Sequence, residues 1–181
     1  MIEIEKRFQP IEEQIKALLE GAEFVGEVLL HDIYYDYIDY RLLKNDIRLR
    51  ERNGSFELKI GKKSGVAEEI ENEDEIAKYF GIRGGLRNFV KNELIVFMDF
   101  SNNRKSYKKD GFNIDIDKMS FGYEVCEIEL LVEDENKIKE AEEKIVNFAK
   151  KYKLEPSKLL AKRIEYLKRF KPEIYKEVYE K

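Results

Sequence analysis

The sequence predicts an α+β protein: an antiparallel sheet with one charged face, a few inserted helices, and a helical C-terminus. Three observations lead there. Apolar and charged residues alternate with period two at Ile2-Glu3-Ile4-Glu5, Ile47-Arg48-Leu49-Arg50, Ile114-Asp115-Ile116-Asp117 and Glu127-Ile128-Glu129-Leu130, which is the pattern of strands with unlike faces. Asn53-Gly54 and Asp110-Gly111 separate such stretches, and both dipeptides favour tight hairpin turns. Helical spacing takes over late in the chain, where Ile138, Ala141, Ile145, Phe148 and Tyr152 form one stripe.

Residues 2–8 are expected to be the first strand. Pro10 then opens a helix with Ile11, Ile15, Leu18 and Leu19 on one side and Gly21 as its C-terminal stop. Glu23 to Tyr37, rich in Val, Leu, Ile and Tyr, reads as one long strand, and Asp39 to Asn45 as a polar connection. A hairpin follows over 46–52 and 55–60, then a Lys/Gly/Ser loop over 61–65, a strand over 67–71 and a short helix over 74–80. Gly81, Gly84 and Gly85 punctuate a stretch up to residue 95 whose conformation the pattern does not define. Leu94 to Lys108 reads as one or two strands, followed by strands at 112–118 and 123–132. After the Ile138 stripe, a helix is expected from Ser157, a good N-cap, to Phe170, and a last one begins at Pro172.

The 181 residues suffice for a core, and no linker or repeat divides them, so one domain over residues 1–181 is expected. Hydrophobic residues make up 43% and charged residues 40%. A net charge of −4 gives no basic field to attract nucleic acid. The single cysteine, Cys126, rules out an internal disulfide and is expected to pack on the apolar side with Ile128. One histidine, His31, argues against His-based catalysis or a His-rich zinc site, so it is expected to be structural or superficial. No leader-like segment opens the sequence and no apolar run approaches the ~18–20 residues of a membrane span. A soluble cytoplasmic protein with no membrane partner is expected.

Residues two apart on a strand share a face. Glu3, Glu5 and Arg7 therefore point together, as do Arg48 and Arg50, Asp115 and Asp117, and Glu127 and Glu129. One such pair is ordinarily the wet side of a sheet. Four segments segregated by sign suggest instead a face enclosed around its charges. Six carboxylates repel one another unless protons or cations compensate them. Hard oxygen ligands suit Mg²⁺, with Mn²⁺ as the alternative. The planar arginines suit phosphate oxygens. Carboxylates for a metal and arginines for phosphate point to metal-assisted phosphoryl chemistry. Gly84-Gly85 fits no phosphate-binding loop, so side chains would have to hold the phosphates.

These residues resemble the CYTH superfamily, the triphosphate tunnel metalloenzymes. The family's opening Glu-x-Glu-x-Lys stands here as Glu3-Ile4-Glu5-Lys6-Arg7. The likeness continues through Asp32-Ile33-Tyr34-Tyr35-Asp36, Arg48-Leu49-Arg50, Glu57-Leu58-Lys59, Asp115-Ile116-Asp117, Phe121-Gly122-Tyr123 and Glu127-Ile128-Glu129. It reaches Lys162-Arg163-Ile164-Glu165-Tyr166-Leu167 and Arg169-Phe170-Lys171-Pro172, and so covers nearly the whole chain. Within the superfamily the chain is most similar to the thiamine-triphosphatase branch. The resemblance implies an eight-stranded antiparallel tunnel, a closed barrel with a polar lumen.

It also implies roles. Arg7, Arg48, Arg50, Lys59, Arg104 and Lys162 would bind the triphosphate. Glu3, Glu5, Asp117, Glu127 and Glu129 would hold divalent metal, with Asp115 nearby and Glu71 as a loosely matched further carboxylate. Tyr34, Lys59 and Glu129 would take the catalytic roles. Two departures stand out. Arg7 occupies the usual lysine position, and a guanidinium cannot exchange protons near neutral pH. Vertebrate members place a tryptophan before the Arg-x-Arg pair; this chain has Ile47 there and no tryptophan anywhere. The expected activity is Mg²⁺-dependent hydrolysis of a small-molecule triphosphate, thiamine triphosphate first and inorganic tripolyphosphate second. A class IV-type adenylate cyclase and a non-catalytic polyphosphate- or nucleotide-binding module are the alternatives. A monomer is expected, with a dimer left open.

Overall fold

The Asn53-Gly54 and Asp110-Gly111 dipeptides do turn the chain: all four residues have positive φ, from 47° at Asn53 to 89° at Gly54. That geometry suits the primed turns that match the twist of paired strands. The computed structural model describes residues 2–61, 67–155 and 159–180. They contain eight strands and seven α-helices. The strands are β1 (Ile2–Phe8), β2 (Glu23–Asp36), β3 (Ile47–Arg52), β4 (Ser55–Gly61), β5 (Ala67–Ile70), β6 (Ile95–Lys109), β7 (Phe112–Met119) and β8 (Glu124–Val132). The helices are α1 (Glu12–Leu19), α2 (Arg41–Lys44), α3 (Glu73–Tyr79), α4 (Leu86–Glu93), α5 (Ile138–Lys150), α6 (Lys162–Phe170) and α7 (Pro172–Tyr179).

All eight strands belong to one sheet, in the order β1-β8-β7-β6-β2-β3-β4-β5, and the described registers are antiparallel. The α+β class expected from the sequence is thus the observed one. The order gives β1 and β5 one neighbour each; a closed barrel would give every strand two. No helix is long and apolar enough to cross a membrane.

The chain divides into two compact units. The first comprises Met1–Leu29 and Asn102–Lys162. Here Ile4, Phe8, Ile114, Ile116, Cys126 and Ile128, from one face of β1, β7 and β8, pack with Ala141, Ile145 and Phe148 of α5. Of the stripe read from the sequence, Ala141, Ile145 and Phe148 are the buried face of that helix, Ile138 is partly buried at its start, and Tyr152 packs on the same core from just beyond its end. Tyr123 donates its hydroxyl to the Leu160 carbonyl at 2.8 Å, tying the start of β8 to the segment before α6. Cys126 is 1% exposed, and burial pushes its thiol pKa well up.

The second unit comprises Leu30–Ser101 and Arg163–Lys181. Leu49, Phe56 and Leu58 of β3 and β4 pack against Ile76 of α3 and Leu86, Val90 and Leu94 around α4. The stretch expected to be a polar connection holds α2, with Leu42 and Leu43 buried. What makes the turn is Asp36, fully buried at the end of β2. Its carboxylate accepts hydrogen bonds from the backbone N–H groups of Tyr37, Leu42 and Leu43 at 2.7, 3.0 and 2.9 Å. The undefined stretch after Tyr79 holds α4, a helix of eight residues that directly follows three glycines. Helix α6 begins at Lys162; the expected N-cap Ser157 and most of the loop over 61–65 lie outside the described residues. His31 is exposed, with Nε2 2.7 Å from Asp99 Oδ1.

Candidate active site

In the first unit four carboxylates of the charged face are buried. Asp117 is 0% exposed, Glu127 3%, Asp115 5% and Glu129 8%, values otherwise found in the core. An ordinary wet sheet face is thereby excluded for these residues. Antiparallel registers bring them together: Glu5 lies opposite Glu129, Arg7 opposite Glu127, Asp115 opposite Glu127, and Arg104 opposite Asp117. Directly opposed residues on neighbouring strands share a face and a short separation.

The carboxylates sort into two sets. Arg104 engages three of them. Its Nε and Nη2 form a fork on Asp117 at 2.8 Å each, Nη2 reaches Glu127 at 3.0 Å, and Nη1 lies 2.5 Å from Asp115. Lys162 bonds Asp117 and donates to Glu127 Oε2 at 2.6 Å. Arg7 Nε donates to the other Glu127 oxygen at 3.2 Å and Nη2 pairs with Glu5. Ser106 donates to Asp115 at 2.6 Å. Burial alone would raise the pKa of Asp117, but the bonds and charges of Arg104 and Lys162 outweigh it and hold the group well below the usual carboxylate range.

Glu3, Glu5 and Glu129 form the second set. Each offers an oxygen such that all three lie within 4.8 Å of one another. Burial, then the charges of Glu3 and Asp115, push the Glu129 pKa up to about 8, against the pull of Arg104. Burial and Glu127 likewise raise Glu5. Among the described residues the one ion pair to these three is that of Arg7 with Glu5, so the converging oxygens fit a hard divalent cation, whereas Asp115, Asp117 and Glu127 are all engaged by Arg104, and Asp117 and Glu127 by Lys162 as well.

A pH dependence follows. A carboxyl whose pKa is raised in the folded state stabilises that state below the unfolded value, ~4.3 for Glu, and loses this as pH climbs through the folded value. The metal-free protein should therefore melt at progressively lower temperature from about pH 5 to pH 9. The groups facing Glu129 and bearing on this are Glu3 of β1, Asp115 of β7, Arg104 of β6 and Glu127 of β8. Melting curves in chelator check it, and a flat profile would mean that the cluster is already compensated.

The second unit carries its own charged face. Arg48 lies opposite Lys59, Arg50 opposite Glu57, Tyr34 opposite Arg50, and Asp32 opposite Arg52. Arg52 forks onto Asp32 at 2.6 and 2.7 Å, Arg50 Nε donates to Glu57 at 2.9 Å, and Lys59 pairs with Glu69. Tyr34 is on this face, buried, stacked on Phe100 and edge-on to Phe97. Tyr35 points the other way and donates to Glu51 at 2.9 Å. Glu71 is exposed just beyond β5, while Glu69 is the neighbour of Lys59.

Sequence reasoning found the charged positions but not their partners. Asp32, Glu57, Glu69 and Ser106 were not singled out as site residues. The signal was present for Glu57 and Ser106, because each shares face parity across a hairpin with a residue already chosen, Arg50 and Asp115.

The model of the CYTH domain matches residues 1–163, and the chain belongs to that family. Human thiamine-triphosphatase is 29% identical over 209 aligned positions, covering 99% of this chain and 90% of that protein. A protein from Pyrococcus horikoshii OT3 has the same fold, with a TM-score of 0.68, 22% identity, and coverage of 92% of this chain and 99% of that one. A Hippeastrum protein, described as a candidate adenylyl cyclase with a dominant triphosphatase activity, gives a TM-score of 0.59 at 19% identity, covering 93% of this chain and 95% of that one.

Proposed function

We propose that this CYTH protein is a metal-dependent triphosphatase, with residues 1–181 acting as one domain. The observation that carries the reading is the division of these charges into a carboxylate triad whose one ion pair among the described residues is Arg7 with Glu5, and a cation-rich group beside it. Glu3, Glu5 and Glu129 are the residues that would hold a divalent ion, Mg²⁺ or Mn²⁺. When bound, such an ion supplies Lewis-acid charge to phosphoryl oxygens. Arg7, Arg104 and Lys162 would bind phosphate oxygens by exchanging part of their contacts with Asp115, Asp117 and Glu127. Those carboxylates then keep the cations in place and aimed. Arg48, Arg50 and Lys59 are further phosphate-binding cations in this reading, and Tyr34, Lys59 and Glu129 take the catalytic roles. Closure of the sheet into a polar tunnel belongs to the same proposal, supported by the charged alternate positions on β1, β3, β4, β6, β7 and β8.

In the reaction, the oxygen of water bonds to the terminal phosphorus and the bridging P–O bond breaks. The products are a diphosphate and inorganic phosphate. Thiamine triphosphate as substrate is supported by the human relative's name. Inorganic tripolyphosphate is the second reading, favoured by Ile47 and the absence of tryptophan, which leave no indole to stack on a thiamine ring. Phosphate release from tripolyphosphate, thiamine triphosphate and ATP, with and without Mg²⁺, tests the reading. Mg²⁺-dependent release from at least one of the first two is expected. Cyclic AMP from ATP would favour the cyclase, and tight metal-independent binding without turnover would favour a binding module.

A further inference from the structure

In the second unit two guanidinium groups share too little negative charge. Arg48 projects from β3 and Arg163 from the start of α6. Both reach for one oxygen, Asp46 Oδ1, at 3.9 Å from Arg48 Nε and 3.6 Å from Arg163 Nη2. Those distances are long for an ion pair, and the Asp46 side chain is 60% exposed, so water screens much of its field. Asp46 is held where it is: its carbonyl accepts from Gly61 N at 2.9 Å, and its side chain fills the space a Cβ at Gly61 would need. Arg163 donates Nη1 to the Tyr179 hydroxyl at 2.5 Å, an uncharged partner.

Arg48 Nε is buried and has no hydrogen-bond partner among the described residues. A buried donor left unpaired costs its full desolvation, more so when charged. Burial, then the nearby Arg163 charge, lower the Arg48 pKa. The next arginine along the strand differs: Arg50 has Glu57 at 2.9 Å and Asp32 at 3.7 Å. The side chains of Arg48 and Arg163 are only 21% and 13% exposed, so a bound anion there would be well shielded from water.

We propose that Arg163 completes, with Arg48, a subsite for an ionised phosphate group, and that this subsite favours inorganic tripolyphosphate over thiamine triphosphate. The inference rests on the triphosphatase reading. The family resemblance supplies Arg48 as a phosphate ligand; Arg163 comes from the structure alone. Two guanidiniums can share the non-bridging oxygens of one phosphate, each through its planar fork. Inorganic tripolyphosphate carries a multiply ionised group at both ends. Thiamine triphosphate replaces one end with an ester to a cationic ring, which an undercompensated arginine pair repels.

The test compares the unaltered protein with Arg163→Met, Arg163→Lys and Tyr179→Phe. With Mg²⁺ present, kcat and KM are measured for both substrates. In chelator, the rise in melting temperature caused by tripolyphosphate alone is measured. Arg163→Met should raise the tripolyphosphate KM about 10–100-fold, the range for one charged hydrogen-bonding partner, and shrink the metal-free melting shift. Its KM for thiamine triphosphate should stay within about threefold, and Arg163→Lys should recover part of the loss. Tyr179→Phe, which keeps the ring and removes the hydroxyl, should stay within about threefold for both substrates, separating anion binding from the contact between α6 and α7. Equal KM changes for both substrates, or an undiminished melting shift in Arg163→Met, would overturn the proposal. Should the unaltered protein release phosphate from neither substrate, the triphosphatase reading fails, and the metal-free melting shifts still decide whether Arg163 binds the anion.

Discussion

Replacing Glu129 with glutamine is expected to lower metal-dependent triphosphate turnover at least about a hundredfold, beyond the ~10–100-fold that second-sphere partners of a metal contribute. Glu129 is the buried member of the Glu3, Glu5 and Glu129 triad. Glutamine keeps its shape and loses its charge, so the metal would meet two carboxylates instead of three. The same change should raise the melting temperature of the metal-free protein above about pH 8, because it removes a charge that burial, Glu3 and Asp115 all disfavour. Opposite signs for activity and stability distinguish a functional carboxylate from a structural one. Steady-state rates over a Mg²⁺ titration, paired with melts in chelator, provide both readouts. Turnover preserved with an unchanged Mg²⁺ requirement would place the ion elsewhere.

The largest stability effect is expected at Arg104. Arg104→Met should cost about 3–5 kcal/mol, because it strips one cation from three buried carboxylates at once. Lys162 still bonds Asp117 and Glu127, but no other cation within ion-pair distance of Asp115 is described. The deficit should depend on pH. In the unaltered protein Asp117 is depressed, so its contribution is present above the ordinary carboxylate pKa of ~3.9 and lost as pH falls below it. In the variant the stranded carboxylates take up protons more readily, and the gap should narrow between about pH 7 and pH 4. Urea unfolding across that range measures it, with Arg104→Lys, which keeps the charge without the fork, falling between. A deficit under about 1 kcal/mol at pH 7 would show that Arg104 is dispensable to the buried group, as an exposed pair would be.

Both predictions start from residues legible in the sequence, and the reason is geometric. Alternation in a strand fixes which residues share a face, so Glu3 with Glu5 and Asp115 with Asp117 could be paired by inspection. Strand positions were legible for the same reason, with β1 running Ile2–Phe8 as expected. Two things were out of reach. Which carboxylate takes a cation and which is left without one depends on registers between strands far apart in sequence, such as β1 with β8. Short helices were also hidden. Helix α2 has four residues and is organised by Asp36 through hydrogen bonds that no periodicity records. Arg163 was quoted within the C-terminal match, yet nothing in its spacing links it to Arg48; Asp46, ahead of β3, makes that link.

Cys126 gives the molecule an internal clock for its own opening. Its side chain is buried in the apolar core that includes Ile116 and Ile128, and burial holds the thiol in its unreactive protonated form. An alkylating reagent can reach it only when the α5-covered layer comes apart. Because the chain has no second cysteine, the modification rate in native buffer would report the frequency of that one event. Metal or phosphate binding on the opposite face of the same strands would then be readable as a slowing of that rate, without any label or substrate turnover.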